Sequence, residues 1–88
     1  MRSVKIYTTS YCGFCDAAKR LMKERGIPFE EIDVEGDDPK RAWLVRATGR
    51  RTVPQIFIGD EPIGGYTDLV SLDKSGELSR KLSEPSIA

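Results

Sequence analysis

The sequence predicts an α/β fold: a four-stranded mixed sheet with strand order 2-1-3-4 and helices on both faces. Three observations predict it. Short β-branched or aromatic runs and amphipathic helical runs follow one another in the order β-α-β-α-β-β-α(-α). A helix-length run joins the first two strands, which indicates a right-handed crossover between parallel neighbours. The two-residue turn Gly59-Asp60 indicates that the last two strands form an antiparallel hairpin.

The first strand, helix and second strand are predicted within residues 1–34. Val4–Thr8 is β-branched and aromatic and is expected to be the central strand. A helix is predicted over residues 15–25, and Gly26 supplies its C-terminal stop. Its apolar side chains recur at spacings of three and four, and they are Cys15, Ala18, Leu21 and Met22. Residues 29–34 form the predicted second strand.

A second helix is predicted to begin at Asp37 or Asp38, either of which can cap it, and to end at Gly49. Pro39 suits the first helical position, because a helix start leaves that N–H group unpaired in any case. The residues expected to face the core are Ala42, Leu44 and Val45, with Trp43 covering an edge.

The rest of the chain is predicted to form a hairpin and further helix. Gln55–Ile58 is expected to be a buried strand and residues 61–63 its return strand. Pro62 cannot donate to a ladder and therefore places the return strand at the sheet edge. A third helix opens at residues 66–68, with Thr67 as the expected N-cap. Inward residues of this helix and of a last amphipathic turn or two are expected to be Leu69, Val70, Leu72, Leu78 and Leu82.

Length and composition indicate one small domain, expected over residues 1–82, followed by a loose tail over residues 83–88. The 14 basic and 14 acidic residues give a formal net charge of +0, which gives no support to binding of nucleic acid or a membrane surface. The sequence shows neither an apolar run that could span a bilayer nor the apolar core of a signal peptide. We therefore expect a cytoplasmic location, where thiols are kept reduced.

The only two cysteines, Cys12 and Cys15, lie between the first predicted strand and the first predicted helix, and the chain has no histidine. Thiols with this Cys-x-x-Cys spacing near a βαβ pattern indicate a thioredoxin-like redox motif. A structural disulfide is disfavoured because it would close a very small loop in a reducing compartment. A structural zinc site is disfavoured because it needs about four ligands, so no metal site is predicted. Accidental spacing of the two cysteines is the alternative on the motif alone.

The positions of the two cysteines predict different roles. Cys12 is expected at or just before the N-terminus of the first helix, where unpaired N–H groups and the helix dipole favour a thiolate. Cys15 is expected one turn further along, on the buried face. The sequence therefore predicts Cys12 as the nucleophile and Cys15 as the thiol that resolves a mixed disulfide.

Three further segments add specificity to the redox motif Cys12-Gly13-Phe14-Cys15. They are Tyr7-Thr8, Thr52-Val53-Pro54-Gln55-Ile56-Phe57-Ile58, and Ile63-Gly64-Gly65 followed by Asp68-Leu69. Together with this motif they resemble the small bacterial dithiol glutaredoxins, from about Val4 to Leu82. The resemblance implies a thioredoxin-like fold and a glutathione-dependent thiol–disulfide oxidoreductase. It implies glutathione as co-substrate, and disulfide-containing or glutathionylated proteins as clients.

The resemblance also implies a groove for glutathione. The residues that it assigns to this groove are Phe14, Arg41, Thr52, Val53, Pro54, Gly65, Tyr66, Thr67 and Asp68. A cis Pro54 would lie beside the active cysteine, and the Val53 backbone would pair with the cysteinyl part of glutathione. The start of the third helix would receive the γ-glutamyl α-carboxylate and Asp68 the ammonium group. Arg41 would contact the glycine carboxylate.

Each of these residues also has a purely structural interpretation. Arg41 can be an ordinary solvated helix residue, and Phe14 can be cover for the core. Thr67 can be only a helix cap, and Asp68 only a partner of the helix dipole.

Two departures from the family pattern leave alternative functions open. Thr9 stands where many members have a lysine, so that either Arg41 or Lys19 would have to compensate for its charge or glutathione would bind more weakly. A redoxin reduced by a flavoprotein such as thioredoxin reductase is the first alternative. Gly13-Phe14 replaces the common Pro-Tyr and also occurs in the cluster-binding branch of the family. The second alternative is therefore a dimer that carries a [2Fe–2S] cluster on Cys12 and glutathione from each subunit; otherwise a monomer is expected.

Overall fold

The computed structural model describes residues 1–84, which form a four-stranded sheet and four helices. In chain order the elements are β1 (Val4–Thr8), α1 (Gly13–Glu24), β2 (Glu30–Asp33), α2 (Asp38–Thr48), β3 (Gln55–Ile58), β4 (Glu61–Gly64), α3 (Tyr66–Ser75) and α4 (Glu77–Ser83). The strand order is β2-β1-β3-β4, with β1 parallel to β2 and antiparallel to β3, and with β4 antiparallel at the edge. The predicted fold class and strand order are confirmed.

Alternation along the central strands sends side chains into a core on each face of the sheet. Ile6 and Tyr7 are neighbours in β1 and belong to different cores. The larger core contains Val4, Ile6, Ala18, Met22, Ile56, Ile58, Leu69, Leu78 and Leu82. The smaller core contains Tyr7, Val34, Leu44 and Phe57. Helices α1, α3 and α4 supply residues to the larger core and α2 to the smaller one, so helices cover both faces as predicted.

Helix α1 begins at Gly13, ahead of the predicted start at Cys15, because Cys12 acts as its N-cap. The Cys12 Sγ accepts the N–H of Cys15 at 3.1 Å and so satisfies one of the unpaired donors of the first turn. The predicted buried face is confirmed at Cys15, Ala18 and Met22. The predicted second strand is longer than β2, which spans only Glu30–Asp33.

Helix α2 begins as expected but presents a different face to the sheet. The Asp37 carboxylate accepts the Lys40 N–H at 3.1 Å, and Pro39 lies in the first turn. The prediction that Ala42 faces the core is wrong, because Leu44 is the buried residue and positions two apart on a helix differ by about 200°. Trp43 covers the edge of the smaller core as predicted, and its ring stacks on Phe57 with the centroids 5.9 Å apart.

The last two helices differ from the prediction at their ends. Gly65 is the N-cap of α3, so the prediction of Thr67 as N-cap is wrong; the Asp68 carboxylate reaches back to the Gly65 N–H and fixes the helix start there. Leu78 and Leu82 of α4 are buried as expected. Helix α4 runs through Ser83, so the first residue of the predicted tail is helical, and residues 85–88 lie outside the described residues.

None of the helices within residues 1–84 combines the length and the apolar character that crossing a membrane requires.

Candidate active site

The two cysteines lie where β1 gives way to α1, and they form a disulfide in this structure. Their Cα atoms are 5.2 Å apart. Cys12 has extended backbone angles, with φ of −113°, and the Cys15 N–H points at its sulfur. The N-terminus of a 12-residue helix and one of its free N–H groups therefore converge on the Cys12 Sγ.

The two sulfurs differ in their access to solvent. Cys15 is 1% exposed and belongs to the buried face of α1, whereas Cys12 is partly exposed. Gly13 is exposed, and a methyl group built on it would meet no atom within 4 Å. An incoming disulfide can therefore reach Cys12 and not Cys15.

The segment before β3 forms the second wall of the site. The Val53–Pro54 peptide bond is cis, as the resemblance implies, and Pro54 is buried. The Val53 carbonyl oxygen lies 3.8 Å from the Cys12 Sγ. Pairing between β1 and β3 begins at Gln55, so Val53 lies beyond the last ladder pair at this end of the strand. Its backbone is thus placed beside the reactive sulfur and outside the sheet.

The turn between β4 and α3 forms the third wall. A methyl group built on Gly65 would lie 3.4 Å from the Pro54 carbonyl oxygen, so this turn packs against the cis-proline segment. Gly64 has φ of 110°, and a methyl group there would lie 2.2 Å from the Asp68 carboxylate. Only glycine at position 64 leaves Asp68 the room to reach the Gly65 N–H at 2.9 Å.

Asp68 also binds a residue that the sequence did not single out. Its Oδ2 accepts from the Arg50 Nη1 at 2.9 Å as well as from the Gly65 N–H. The Gly65 N–H and the Arg50 guanidinium hold the pKa of the Asp68 carboxyl below its usual value of 3.8. No local sequence pattern links two residues 18 positions apart, which is why the pair was missed.

Aromatic side chains border the site on its solvent side. Phe14 is 62% exposed, and its ring stacks on that of Tyr66 with the centroids 6.0 Å apart. Tyr11 precedes Cys12 directly, has φ of 55° and is fully exposed. The contact between Phe14 and Tyr66 joins the cysteine loop to the start of α3.

A basic cleft of about 360 Å³, here named the arginine cleft, extends from Val53 along α2. Its lining residues are Asp38, Arg41, Ala42, Leu44, Val45, Arg50, Arg51, Val53 and Gln55. The guanidinium of Arg41 makes no ion pair within residues 1–84. The arginine cleft therefore offers positive charge next to the segment that contacts Cys12.

Lys19, one of the two candidates for the charge that Thr9 lacks, already has two acidic partners. Its Nζ binds the Glu31 carboxylate at 2.9 Å and lies 3.5 Å from that of Asp16. Glu31 also accepts from the Thr8 hydroxyl at 2.8 Å, and these contacts with Lys19 and Thr8 hold the pKa of its carboxyl below the usual value. Of the two candidates for the missing charge, Arg41 is the one without an ion pair in the described part of the chain.

The structure thus brings most of the predicted groove residues together through three contacts: Cys12 with Val53, Pro54 with Gly65, and Phe14 with Tyr66. Thr52 and Thr67 are exposed, and neither side chain makes a hydrogen bond within residues 1–84.

Gln55 is a further residue near the site that the sequence analysis did not single out. It is 3% exposed, and its side chain donates to the Arg50 carbonyl at 2.9 Å. Its position as a polar residue at the start of an apolar strand could have indicated it. Residues 1–84 hold no group of three or more Cys, Asp or Glu side chains that could bind a metal ion.

Asp68→Asn is expected to lower the free energy of unfolding by about 1 kcal/mol at pH 7, because it weakens a helix cap and removes an exposed ion pair. A carboxyl whose folded pKa lies below 3.8 stabilises the fold above that value and loses this contribution as the pH falls through the folded pKa. The difference between the native protein and the variant should therefore shrink below about pH 4.

Urea unfolding between pH 7 and pH 3 measures this difference. Asp60→Asn, in the exposed hairpin turn, is the control and should change stability by less than about 0.5 kcal/mol. A difference for Asp68→Asn that stays constant down to the lowest pH would show that the charge of this carboxylate does not stabilise the helix start.

The sequence and the fold of this chain are similar to those of known proteins. The family model described as Glutaredoxin matches residues 4–63. The chain is 45% identical to a glutaredoxin of Pseudomonas aeruginosa, with 94% of this chain and 99% of that protein covered. It is 44% identical to glutaredoxin 3 of Escherichia coli, with 89% and 94% covered.

Two solved structures have closely similar folds. A buckwheat glutaredoxin–glutathione complex gives a TM-score of 0.87 at 33% identity, covering 93% of this chain and 77% of that one. A glutaredoxin from Brucella melitensis, solved in solution, gives a TM-score of 0.83 at 39% identity, covering 98% and 96%.

Proposed function

Since this chain belongs to the glutaredoxin family and is a thiol–disulfide oxidoreductase with the redox pair Cys12 and Cys15, we propose that glutathione is its reductant. On this proposal it reduces protein disulfides through both cysteines, and protein–glutathione mixed disulfides through Cys12 alone.

The observation that carries the proposal is the position of Val53. Its carbonyl oxygen lies 3.8 Å from the Cys12 Sγ, and its backbone lies beyond the last pair of the β1–β3 ladder. The cysteinyl part of glutathione can pair with this backbone as a short antiparallel strand would, with its sulfur directed at Cys12. The similarity to a glutaredoxin whose structure was solved with glutathione supports the same ligand for this chain.

Charges on either side of Val53 suit the two ends of the tripeptide. The arginine cleft offers Arg41 to the glycine carboxylate, and its volume of about 360 Å³ lies within the usual range for small-ligand sites. On the other side, the start of α3 offers free N–H groups to the γ-glutamyl α-carboxylate. Asp68 offers a carboxylate to the γ-glutamyl ammonium. Phe14 and Tyr66 would flank the ligand on the solvent side.

The proposed reaction with a glutathionylated protein has two exchanges. The Cys12 thiolate attacks the glutathione sulfur, and the client leaves as a thiolate while a Cys12–glutathione disulfide forms. A second glutathione thiolate then attacks the glutathione sulfur of this disulfide, which releases oxidised glutathione and restores the Cys12 thiolate. The Cys15 N–H, 3.1 Å from the Cys12 Sγ, stabilises the negative sulfur as attacker and as leaving group.

The proposed reaction with a protein disulfide uses both cysteines. Cys12 attacks one client sulfur, which forms a mixed disulfide and frees the other client sulfur. Cys15 then attacks the Cys12 sulfur, releases the reduced client and leaves the Cys12–Cys15 disulfide that the structure contains. Two molecules of glutathione return the pair to the dithiol and are themselves oxidised.

The alternative role as a cluster carrier would use Cys12 of each of two subunits. A [2Fe–2S] cluster takes four ligands, mostly thiolates, and Cys15 is 1% exposed, so one chain would present only Cys12. Such a cluster would need a second subunit and external thiolates. Anaerobic reconstitution with iron and sulfide, followed by absorbance and sizing, tests the alternative, and a colourless monomer would exclude it.

The electron source is tested by reducing the purified disulfide form in two ways. Glutathione, recycled by glutathione reductase and NADPH, is expected to sustain turnover with a glutathionylated peptide. Thioredoxin reductase with NADPH is expected to sustain less than about one hundredth of that rate, because a groove suited to a tripeptide does not recognise a flavoprotein. Reduction by thioredoxin reductase alone, with glutathione inactive, would overturn the proposal.

A further inference from the structure

Arg50 lies in the loop between α2 and β3 and makes hydrogen bonds through its N–H, its carbonyl and its guanidinium. Its N–H donates to the Thr48 hydroxyl at 3.0 Å, and its carbonyl accepts from the buried Gln55 side chain at 2.9 Å. Its guanidinium Nη1 donates to the Asp68 Oδ2 at 2.9 Å. Because the backbone is fixed on both sides, the guanidinium projects from a defined position toward the start of α3.

The Asp68 carboxylate is also held in place by hydrogen bonds. The same oxygen accepts the Gly65 N–H at 2.9 Å, and position 64 has no room for a side chain beside it. Asp68 and Arg50 thus present a negative and a positive charge side by side, next to the turn that packs on Pro54. The two side chains are 38% and 53% exposed, so opening their contact to admit a ligand costs little.

The γ-glutamyl end of glutathione has the complementary pair of charges, an ammonium and a carboxylate on one carbon atom. We propose that Arg50 is a specificity-determining residue, which receives the γ-glutamyl α-carboxylate while Asp68 receives the ammonium. This inference rests on the proposed use of glutathione. When the ligand binds, its two charged groups replace the Arg50–Asp68 contact with one charge-assisted contact to each of these residues. The planar guanidinium then binds the α-carboxylate together with the N–H groups of the helix start.

The test uses three tripeptides that differ only at this carbon atom. Glutathione has both charges, glutaryl-cysteinylglycine lacks the ammonium, and 4-aminobutyryl-cysteinylglycine lacks the α-carboxylate. Each is joined by a disulfide to the same chromogenic thiol, 5-thio-2-nitrobenzoate. The reduced protein is mixed with each disulfide, and release of the coloured thiol gives the second-order rate constant for attack by Cys12.

Arg50→Ala is expected to lower this rate constant about tenfold for glutathione and for the glutaryl peptide, which both have the carboxylate. The 4-aminobutyryl peptide should react with the variant within about twofold of its rate with the native protein, since it lacks the α-carboxylate that Arg50 is proposed to contact. Arg50→Lys, which keeps the charge without the planar fork, should restore part of the loss. Arg46→Ala is the matched control: it removes an exposed arginine from α2 and not from the loop that follows. It should leave all three rates within about twofold of those of the native protein.

Other patterns would overturn the inference. If Arg50 only positioned Asp68, the rate constant of the variant would fall for the two peptides that have the ammonium and would not change for the glutaryl peptide. An equal fall for all three peptides would mean that Arg50 supports the loop or contacts the shared glycine carboxylate from the arginine cleft, and not the γ-glutamyl end. No change would mean that it does not reach the ligand. If the native protein did not distinguish glutathione from either analogue, the γ-glutamyl charges would have no binding site and this inference would fail. The pairing of the cysteinyl part with Val53 would remain, and the use of glutathione would fail only if glutathione did not sustain turnover.

Discussion

Cys12→Ser is expected to lower both disulfide reduction and deglutathionylation by at least about a thousandfold, because a serine hydroxyl is not ionised at neutral pH and cannot replace the attacking sulfur. Cys15 cannot take over the attack, since it is 1% exposed at the N-terminal turn of α1. The rates are measured with a protein disulfide and with a glutathionylated peptide, at fixed glutathione concentration.

Loss of fold would not explain the loss of activity in this variant. Cys12 is the N-cap of α1, and serine is among the preferred residues at that position, so its oxygen can accept the Cys15 N–H in place of the sulfur. The variant should therefore melt within a few degrees of the native protein, compared with both proteins in the reduced state. Activity of the variant above about one hundredth of the native value would show that Cys15 can act as a nucleophile.

The sheet could be predicted from the sequence because its determinants are local. Val4–Thr8 and Gln55–Ile58 are runs of strand length rich in β-branched and aromatic residues, and the turn Gly59-Asp60 specifies the hairpin that follows. Pro62 cannot donate to a ladder, which places β4 at the edge. Only the helix between the first two strands was needed to predict their parallel pairing.

Helix ends and helix faces were predicted less well, because they depend on contacts that spacing does not reveal. Two positions on α3 can compete to cap it, and the reach of Asp68 back to Gly65 decides in favour of Gly65 over Thr67. On α2, Ala42 and Leu44 are both apolar, and it is the aromatic cluster around Phe57 that selects the face with Leu44.

The candidate site shows the same division between local and distant determinants. The cysteine pair and its place near the start of α1 could be inferred from a short motif, and the cis proline was implied by the resemblance to the family. The Arg50–Asp68 pair depends on the relative placement of a loop and of the start of α3, and neither segment alone encodes it. Contacts that join distant segments of the chain are therefore the ones that sequence motifs leave out.

Cys15→Ser is expected to separate the two activities. Reduction of protein disulfides should fall at least about a hundredfold, because no second thiol resolves the mixed disulfide between Cys12 and the client. Deglutathionylation should stay within about threefold of the native rate, because glutathione itself supplies the second thiol. The contact that stabilises the Cys12 sulfur survives in this variant, since it comes from the backbone N–H of residue 15 and not from its side chain.

Measuring both activities on the same Cys15→Ser preparation distinguishes a change of mechanism from damage to the site. Serine is close in size to cysteine but buries a hydroxyl at a position that is 1% exposed, so some loss of stability, about 1–3 kcal/mol, is expected. Misfolding would lower both activities in proportion, and a melting curve of the reduced protein would reveal it. If the variant folds and deglutathionylation is nevertheless lost, Cys15 takes part in the chemistry of every substrate and the division of roles between the two cysteines is wrong.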